Sequence, residues 1–198
     1  MNKQRKIWDE LYSKEENKWK RETNSFKGKL KGKIVLELGA GNGKTLKSIL
    51  RDKPKEVYSV DFSKSAINIC KNQFSDENLK LSVANITDLP FSDNYFDVVI
   101  CYYVLNNLTF SEQKKAISEI YRGLKINGSV LFEDFAKGDF RDDGKHEKNG
   151  LVKNYFDVNE LNRLFSAFSD IQLKVKEFSS IKSDKRLKRR IVYGIIKK

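Results

Sequence analysis

Two cysteines and one histidine in 198 residues leave this chain little from which to build a metal centre or a disulfide framework. Cys70 and Cys101 each lie inside an apolar segment, the usual setting of buried free thiols. His146 sits among charged residues and reads as a solvated loop residue, so chemistry that depends on a histidine base is not expected. Proline is scarce as well. Only Pro54 and Pro90 interrupt the chain, and there is neither an internal repeat nor a low-complexity linker, so one domain is expected. No apolar run approaches the roughly 20 residues that span a bilayer. The start, Met1-Asn-Lys-Gln-Arg-Lys-Ile-Trp8, lacks the apolar stretch of a secretory signal, which points to the cytoplasm.

What the chain does contain is aromatic and basic. Hydrophobic residues make up 39%, with 13 Phe and 8 Tyr, enough for a packed interior. The net charge of +12 is unevenly placed: residues 1–33 carry +6, residues 182–198 carry +7, and the 148 residues between them sum to −1. A nearly neutral centre between two basic ends suits a polyanionic partner such as RNA, tRNA included. The plainer alternative is that lysine-rich ends keep a small protein soluble.

Apolar periodicity sets out the architecture. Residues 4–22 can form an amphipathic helix, with Ile7, Trp8, Leu11, Tyr12 and Trp19 at helical spacing. Beyond residue 33, the strand candidates Ile34–Leu38, Glu56–Asp61, Leu79–Ala84, Phe96–Cys101 and Ser129–Asp134 alternate with helix candidates Thr45–Arg51, Ser63–Phe74 and Ser111–Leu124. Ser63 and Ser111 are read as N-caps. Such alternation implies parallel strands joined by right-handed crossovers, hence an α/β doubly wound sheet. After a helix at about Asp157–Phe168 the rhythm breaks. Ile171–Phe178 and Arg190–Lys197 are strands with no helix between them, so a seven-stranded, mostly parallel sheet should end in an antiparallel hairpin, with residues 179–189 basic and exposed. Within the single domain 1–198, this divides the chain into an N-terminal helical cap (1–30), a core (33–134) and a closing segment (135–198).

The chemistry begins where the first strand ends. Ile34-Val-Leu-Glu-Leu-Gly-Ala-Gly-Asn-Gly43 runs a strand into Glu-x-Gly-x-Gly-x-Gly, where bare backbone can lie against a ligand beside a helix N-terminus. Alone, this is weak evidence, since a dinucleotide-binding dehydrogenase fits the first turn nearly as well. The GxGxG spacing and the preceding Glu37 favour a different nucleoside ligand, and no GxxxxGK[ST] phosphate loop occurs. Asp61 ends the second strand 18 residues after Gly43, where a carboxylate can accept from a ribose diol, with Phe62 placed to flank a base; the simpler role for Asp61 is a helix cap. Ala84-Asn-Ile-Thr-Asp-Leu-Pro-Phe91 then precedes the buried strand Asp97-Val-Val-Ile-Cys101.

In this order, over residues 33–134, these segments resemble the cofactor site of class I S-adenosylmethionine-dependent methyltransferases, which have a Rossmann-like fold. The resemblance implies a cofactor site of Glu37, Gly39, Ala40, Gly41, Gly43, Asp61, Phe62, Asn85, Ile86 and Tyr102, with S-adenosyl-L-homocysteine as product. Asn85 stands where that class usually has Asp for the adenine contact; its carbonyl can still accept, more weakly than a carboxylate. Asp88 is a nearby substitute.

A narrower resemblance spans most of the chain. Trp8-Asp-Glu-Leu-Tyr12 with Glu16-Asn17, Val57–Ile67, Val130-Leu-Phe-Glu-Asp-Phe-Ala-Lys-Gly-Asp139, Asn154-Tyr-Phe156 and Arg186-Leu-Lys-Arg-Arg-Ile-Val-Tyr193 look like segments of the tRNA 3-methylcytidine methyltransferases. The departures are specific: Glu133 stands where that family has Arg, and Gly123-Leu-Lys-Ile-Asn-Gly128 replaces Leu-Leu-Lys-Pro-Gly-Gly.

Methyl transfer from a sulfonium needs in-line approach and exclusion of water more than proton chemistry. The catalytic candidates are Tyr103, Asn106 and Asp134, with Asn107, Phe135, Tyr155 and Phe156 beside them to stack and read a base. The N-terminal helix is expected to close over the cofactor, with Tyr12, Lys18 and Arg21 meeting its methionine carboxylate. The leading expectation is methylation of a base in RNA. A methyltransferase for a small metabolite or a protein side chain is the alternative, and a cofactor-binding subunit without catalysis is a third reading.

Overall fold

The computed structural model describes residues 3–14, 26–182 and 185–198. Its elements are α1 (Lys3–Ser13), β1 (Ile34–Leu38), α2 (Lys44–Arg51), β2 (Glu56–Asp61), α3 (Lys64–Gln73), β3 (Leu79–Val83), β4 (Phe96–Tyr102), α4 (Phe110–Gly123), β5 (Leu124–Phe135), β6 (Glu147–Lys148), β7 (Leu151–Val152), α5 (Val158–Leu164), β8 (Asp170–Lys182) and β9 (Lys185–Lys197). One short 3-10 turn covers Leu105–Asn107. No helix among the described residues is long and apolar enough to cross a membrane.

Seven strands form one sheet in the order β3-β2-β1-β4-β5-β9-β8. The β1, β2, β3, β4 and β5 pairings are parallel, while β9 runs antiparallel to both β5 and β8. This is the doubly wound sheet with a closing hairpin that the periodicity predicts. Buried parallel strands need apolar residues on both faces, and β1 and β4 supply them: Val35, Leu36, Leu38, Val98, Val99, Ile100 and Cys101 are all buried. One side of the sheet packs around Phe96, which is fully buried and meets Tyr58, Phe91 and Tyr95 edge to face. The other side packs Leu46, Ile49, Ile67 and Cys70 against β1, β2 and β4. Both cysteines are free and buried.

Several boundaries move for physical reasons. Thr109, not Ser111, caps α4: its hydroxyl accepts from Glu112 N–H while Glu112 reaches back to the Thr109 backbone, a complete capping box. Ser63 caps α3 as read, accepting from Ala66 N–H. The predicted strand Ser129–Asp134 starts five residues earlier, at Leu124, directly after α4, and its pairing with β4 shifts register between Phe96 and Val98. The expected loop at 179–189 is largely strand. β8 and β9 pair register for register up to Lys182 opposite Lys185, and Ser180, Leu187, Arg189 and Arg190 are half-buried. Because only residues 191–197 of β9 also pair with β5, the outer part of the hairpin is a two-stranded ribbon beyond the sheet.

Strand order reverses between β1 and β4, so the crevice at their C-terminal ends is the switch point where ligands bind in such sheets.

Candidate active site

The turn after β1 lines one side of this crevice. Gly39, Gly41 and Gly43 all have positive φ, and Gly43 (φ 77°) is the left-handed cap from which α2 starts. A side chain there would run into the Phe74 ring. A Cβ on Gly39 would lie 2.9 Å from Val104, which places the turns after β1 and β4 in contact. Glu37 is buried, and burial pushes its carboxyl up to about 8. One of its oxygens accepts from the Ser59 hydroxyl; the other, Oε1, is buried without a partner. A buried carboxyl oxygen without a partner beside the glycine turn is open to a hydrogen bond with a ligand hydroxyl or ammonium. These residues therefore fit S-adenosylmethionine.

Asp61 lies beside this turn. Its two carboxylate oxygens accept from Gly41 N–H and Ser63 N–H, both at 2.9 Å, so it fixes the turn as well as facing the crevice. Burial pushes its carboxyl up. Phe62 is half-buried next to it. In the turn after β3, Ile86 is buried and Asn85 is exposed, with the Asn85 carbonyl oxygen accepting from Thr87 N–H at 3.1 Å. Ala40 is buried, and its N–H donates to Val60 O.

Helix α1 lies over the crevice. Asp9 accepts from the Ser63 hydroxyl at 2.7 Å and from Ser65 N–H at 3.2 Å, joining α1 to the start of α3. The Tyr12 hydroxyl would be 3.0 Å from a Cβ on Gly41, and the Tyr12 and Trp8 rings stack 5.7 Å apart. At the other end, Gln4 Oε1 accepts from Val152 N–H at 3.2 Å, and Ile7 packs against Gly150. Tyr12 is thus set against Gly41; Lys18, Arg21 and Trp19 lie outside the described residues.

The far wall comes from β4, β5 and the 136–155 segment. Tyr102 stacks with Phe26 at 6.3 Å. Tyr103 has φ 59°, an unfavourable conformation for a non-glycine residue; its N–H donates to Glu133 O at 2.7 Å and its hydroxyl donates to the Glu133 carboxylate. Burial, then the adjacent Glu133, push the Tyr103 hydroxyl well above its ordinary value, so it remains a donor. The Tyr103 ring packs on Phe135 at 4.7 Å, the Arg141 guanidinium lies 3.8 Å above Phe135, and Tyr155 flanks the same ring at 6.2 Å.

Asp134 is fully buried, and burial pushes its carboxyl up to about 7. Its oxygens accept from Asn106 N–H at 3.1 Å and Phe135 N–H at 2.8 Å, so it ties the turn after β4 to the end of β5. Asn106 is also buried, with its carboxamide oxygen unpartnered. Lys153 donates to Asn107 Oδ1 at 2.6 Å and sits 5.5 Å from the Trp8 ring; burial pushes its ammonium down, with Asp134 opposing. Phe156 is core. His146 is exposed, as expected.

The structure thus brings together Glu37, the glycines, Asp61, Tyr102, Tyr103, Asn106 and Asp134. Residues beyond the sequence expectation are Arg141, Lys153 and Asp139, the last fully buried as a side chain between Arg141 (2.7 Å) and Arg189 (3.2 Å). Glu133 stands out in sequence only as a departure from the resembled family; its contact with Tyr103 follows from the pairing of Tyr102 with Glu133 across β4 and β5.

Residues 36–132 match the protein family described as a methyltransferase domain. This match covers just under half of the chain. Solved structures agree on the fold: an S-adenosylmethionine-dependent methyltransferase from Methanosarcina mazei (TM-score 0.69, 20% identity, 85% of this chain and 93% of that one) and the YcgJ protein of Bacillus subtilis (TM-score 0.69, 19% identity, 86% and 94%). Among curated proteins, the ubiquinone/menaquinone biosynthesis C-methyltransferase UbiE of Vibrio cholerae is 32% identical over 125 residues, which is 60% of this chain and 47% of that protein. UbiE of Yersinia enterocolitica is 33% identical over 125 residues, 60% of this chain and 49% of that protein. The chain spans about half the length of these curated relatives. These relatives do not confirm the narrower tRNA 3-methylcytidine resemblance.

Proposed function

We propose that the protein transfers the methyl group of S-adenosylmethionine to a carbon of a small, planar, electron-rich ring. The observation that carries this reading is the helix laid across the crevice and fastened at two points. Helix α1 is fastened to α3 by Asp9 at one end and to β7 by Gln4 at the other, with Trp8 against Lys153 between them. A crevice roofed in this way admits a small molecule more readily than a base carried on a polynucleotide. The aromatic wall of Tyr103, Phe135 and Tyr155 offers flat faces for a ring. The 32% identity to C-methyltransferases of ubiquinone and menaquinone biosynthesis supports a carbon acceptor.

The bound cofactor supplies an electrophilic methyl group. The protein's part is to orient and to exclude water: Glu37, the glycine turn and Asp61 hold the cofactor, and α1 keeps solvent from the crevice. The test is incubation with methyl-labelled S-adenosylmethionine and either naphthohydroquinone or total tRNA. Label on a ring carbon of the small acceptor supports the reading; label taken up by tRNA alone overturns it.

One observation favours a second reading, methylation of an RNA base. The closing hairpin carries Lys174, Lys176, Arg186, Lys188, Arg189 and Arg190, together with Phe178 and the exposed Tyr193. A basic ribbon with aromatic faces suits single-stranded RNA. It predicts tRNA binding that weakens with salt and with neutralisation of Arg186, Lys188 and Arg190.

A further inference from the structure

Glu133 lies near the end of β5 in the acceptor wall, paired across the sheet with Tyr102. Tyr103 is tied to it at both ends, through the backbone N–H and through the phenol. Tyr103 sits between these two ties at φ 59°, in the left-handed region that a non-glycine residue adopts only at a conformational cost. Strain of this kind at the end of a strand that borders a cofactor turn is a pointer to function. The other carboxylates nearby are committed elsewhere. Asp134 is spent on two backbone N–H groups, and Asp139 on Arg141, Arg189 and the Arg190 N–H. Glu133 instead faces a neutral phenol, a group that can carry a proton in either direction. The Tyr103 ring at the same time forms part of the aromatic wall with Phe135.

Methylation at carbon creates a need that methylation of a neutral ring nitrogen does not. The ring's π pair forms the new carbon–carbon bond, and the pair of the broken sulfur–carbon bond stays on sulfur. The methylated ring then holds one proton too many, at the new centre or on an adjacent hydroxyl, and must shed it to recover aromaticity.

We infer that Glu133 is the proton acceptor of this step, with Tyr103 as its bridge. The Tyr103 oxygen takes the proton from the acceptor while its own proton passes to the Glu133 carboxylate. The products are methylated acceptor, neutral thioether and protonated Glu133, which returns its proton to solvent. The inference rests on the carbon-acceptor reading above.

The experiment uses the full chain with methyl-labelled S-adenosylmethionine and naphthohydroquinone, both protonated and deuterated at the ring. Glu133→Gln should lower kcat by about a hundredfold to ten-thousandfold, the usual contribution of a general base, with affinity for S-adenosylhomocysteine unchanged to within about twofold. Loss of the ring proton should then limit the rate, so an isotope effect on kcat absent from the wild type should appear in the variant. Glu133→Asp should recover part of the rate. Tyr103→Phe, which keeps the carboxylate, serves as the second variant and should show the same isotope effect. Glu133→Gln and Tyr103→Phe proteins with wild-type kcat and isotope effect would overturn the inference. A wild-type protein that labels only tRNA overturns the carbon-acceptor reading itself, and the need for a base with it. The two failures are distinct.

Discussion

The turns after β1 and β4 lie side by side, yet they are made of different material. The first is a contiguous run, Glu37 to Gly43, that works largely through backbone: three positive-φ glycines, a helix start, and Asp61 bracing Gly41 from the next strand. The second works through side chains gathered from distant stretches, with Tyr103, Glu133, Arg141 and Lys153 each set by a different segment. A common cofactor can be held by one conserved geometry of backbone, whereas an acceptor must be recognised by side chains that differ from one enzyme to the next. The comparison predicts that damage to one wall leaves the other's ligand largely unaffected.

The strongest test of that separation lies at Asp139. Burial raises its carboxyl, but Arg141 and the Arg190 N–H outweigh burial and hold it below the usual carboxylate range. Asp139→Ala leaves two guanidinium groups without their shared partner, and loss of one member of a buried ion cluster costs about 3 kcal/mol. The melting temperature should fall by several degrees and acceptor KM should rise, while S-adenosylhomocysteine affinity per folded molecule stays near wild type. Equal loss at both walls would break the comparison.

Asp61→Ala makes the converse change. Hydrogen bonds to a carboxylate contribute about 1.5–3 kcal/mol, so titration calorimetry should show S-adenosylhomocysteine bound about tenfold to a hundredfold more weakly.

How far the two walls could be read from sequence follows the same division. Glu37–Gly43 is local, so its spacing alone exposes a backbone cradle, and Asp61 follows because it ends the next apolar strand. Glu133 could not be read, since its meeting with Tyr103 depends on a register that shifts at Phe96 and Val98. Arg141 and Lys153 sit in a polar insert whose path no periodicity specifies. The ribbon was missed for another reason. Ser179, Ser180 and Lys188 alternate with no core behind them, so strand pairing there leaves no apolar signature.

A third prediction concerns pH. Burial raises Asp134 to about 7 from an ordinary carboxylate value near 4, so the folded state favours its neutral form. Its contribution to stability is present in full below about pH 4 and is lost as pH rises through about 7. The melting temperature should therefore decline across that window in the wild type, and Asp134→Asn should flatten the decline. A slope unchanged in the variant would remove Asp134 from the account.

The smallest effect is expected at the roof. Tyr12 places its hydroxyl against Gly41, and burial pushes that hydroxyl well above its ordinary value, so it remains protonated. Tyr12→Phe removes one hydrogen-bonding group, worth about 1 kcal/mol, and should weaken S-adenosylhomocysteine binding about fivefold with acceptor KM unchanged.

The most direct test of the central claim is where the methyl group goes. A cell extract divided into an RNA fraction and a small-molecule fraction is incubated with the protein and deuteromethyl-labelled S-adenosylmethionine, and the products are located by mass spectrometry. The account predicts label in the small-molecule fraction, bonded to carbon and stable to acid and base. Label confined to RNA bases would contradict it.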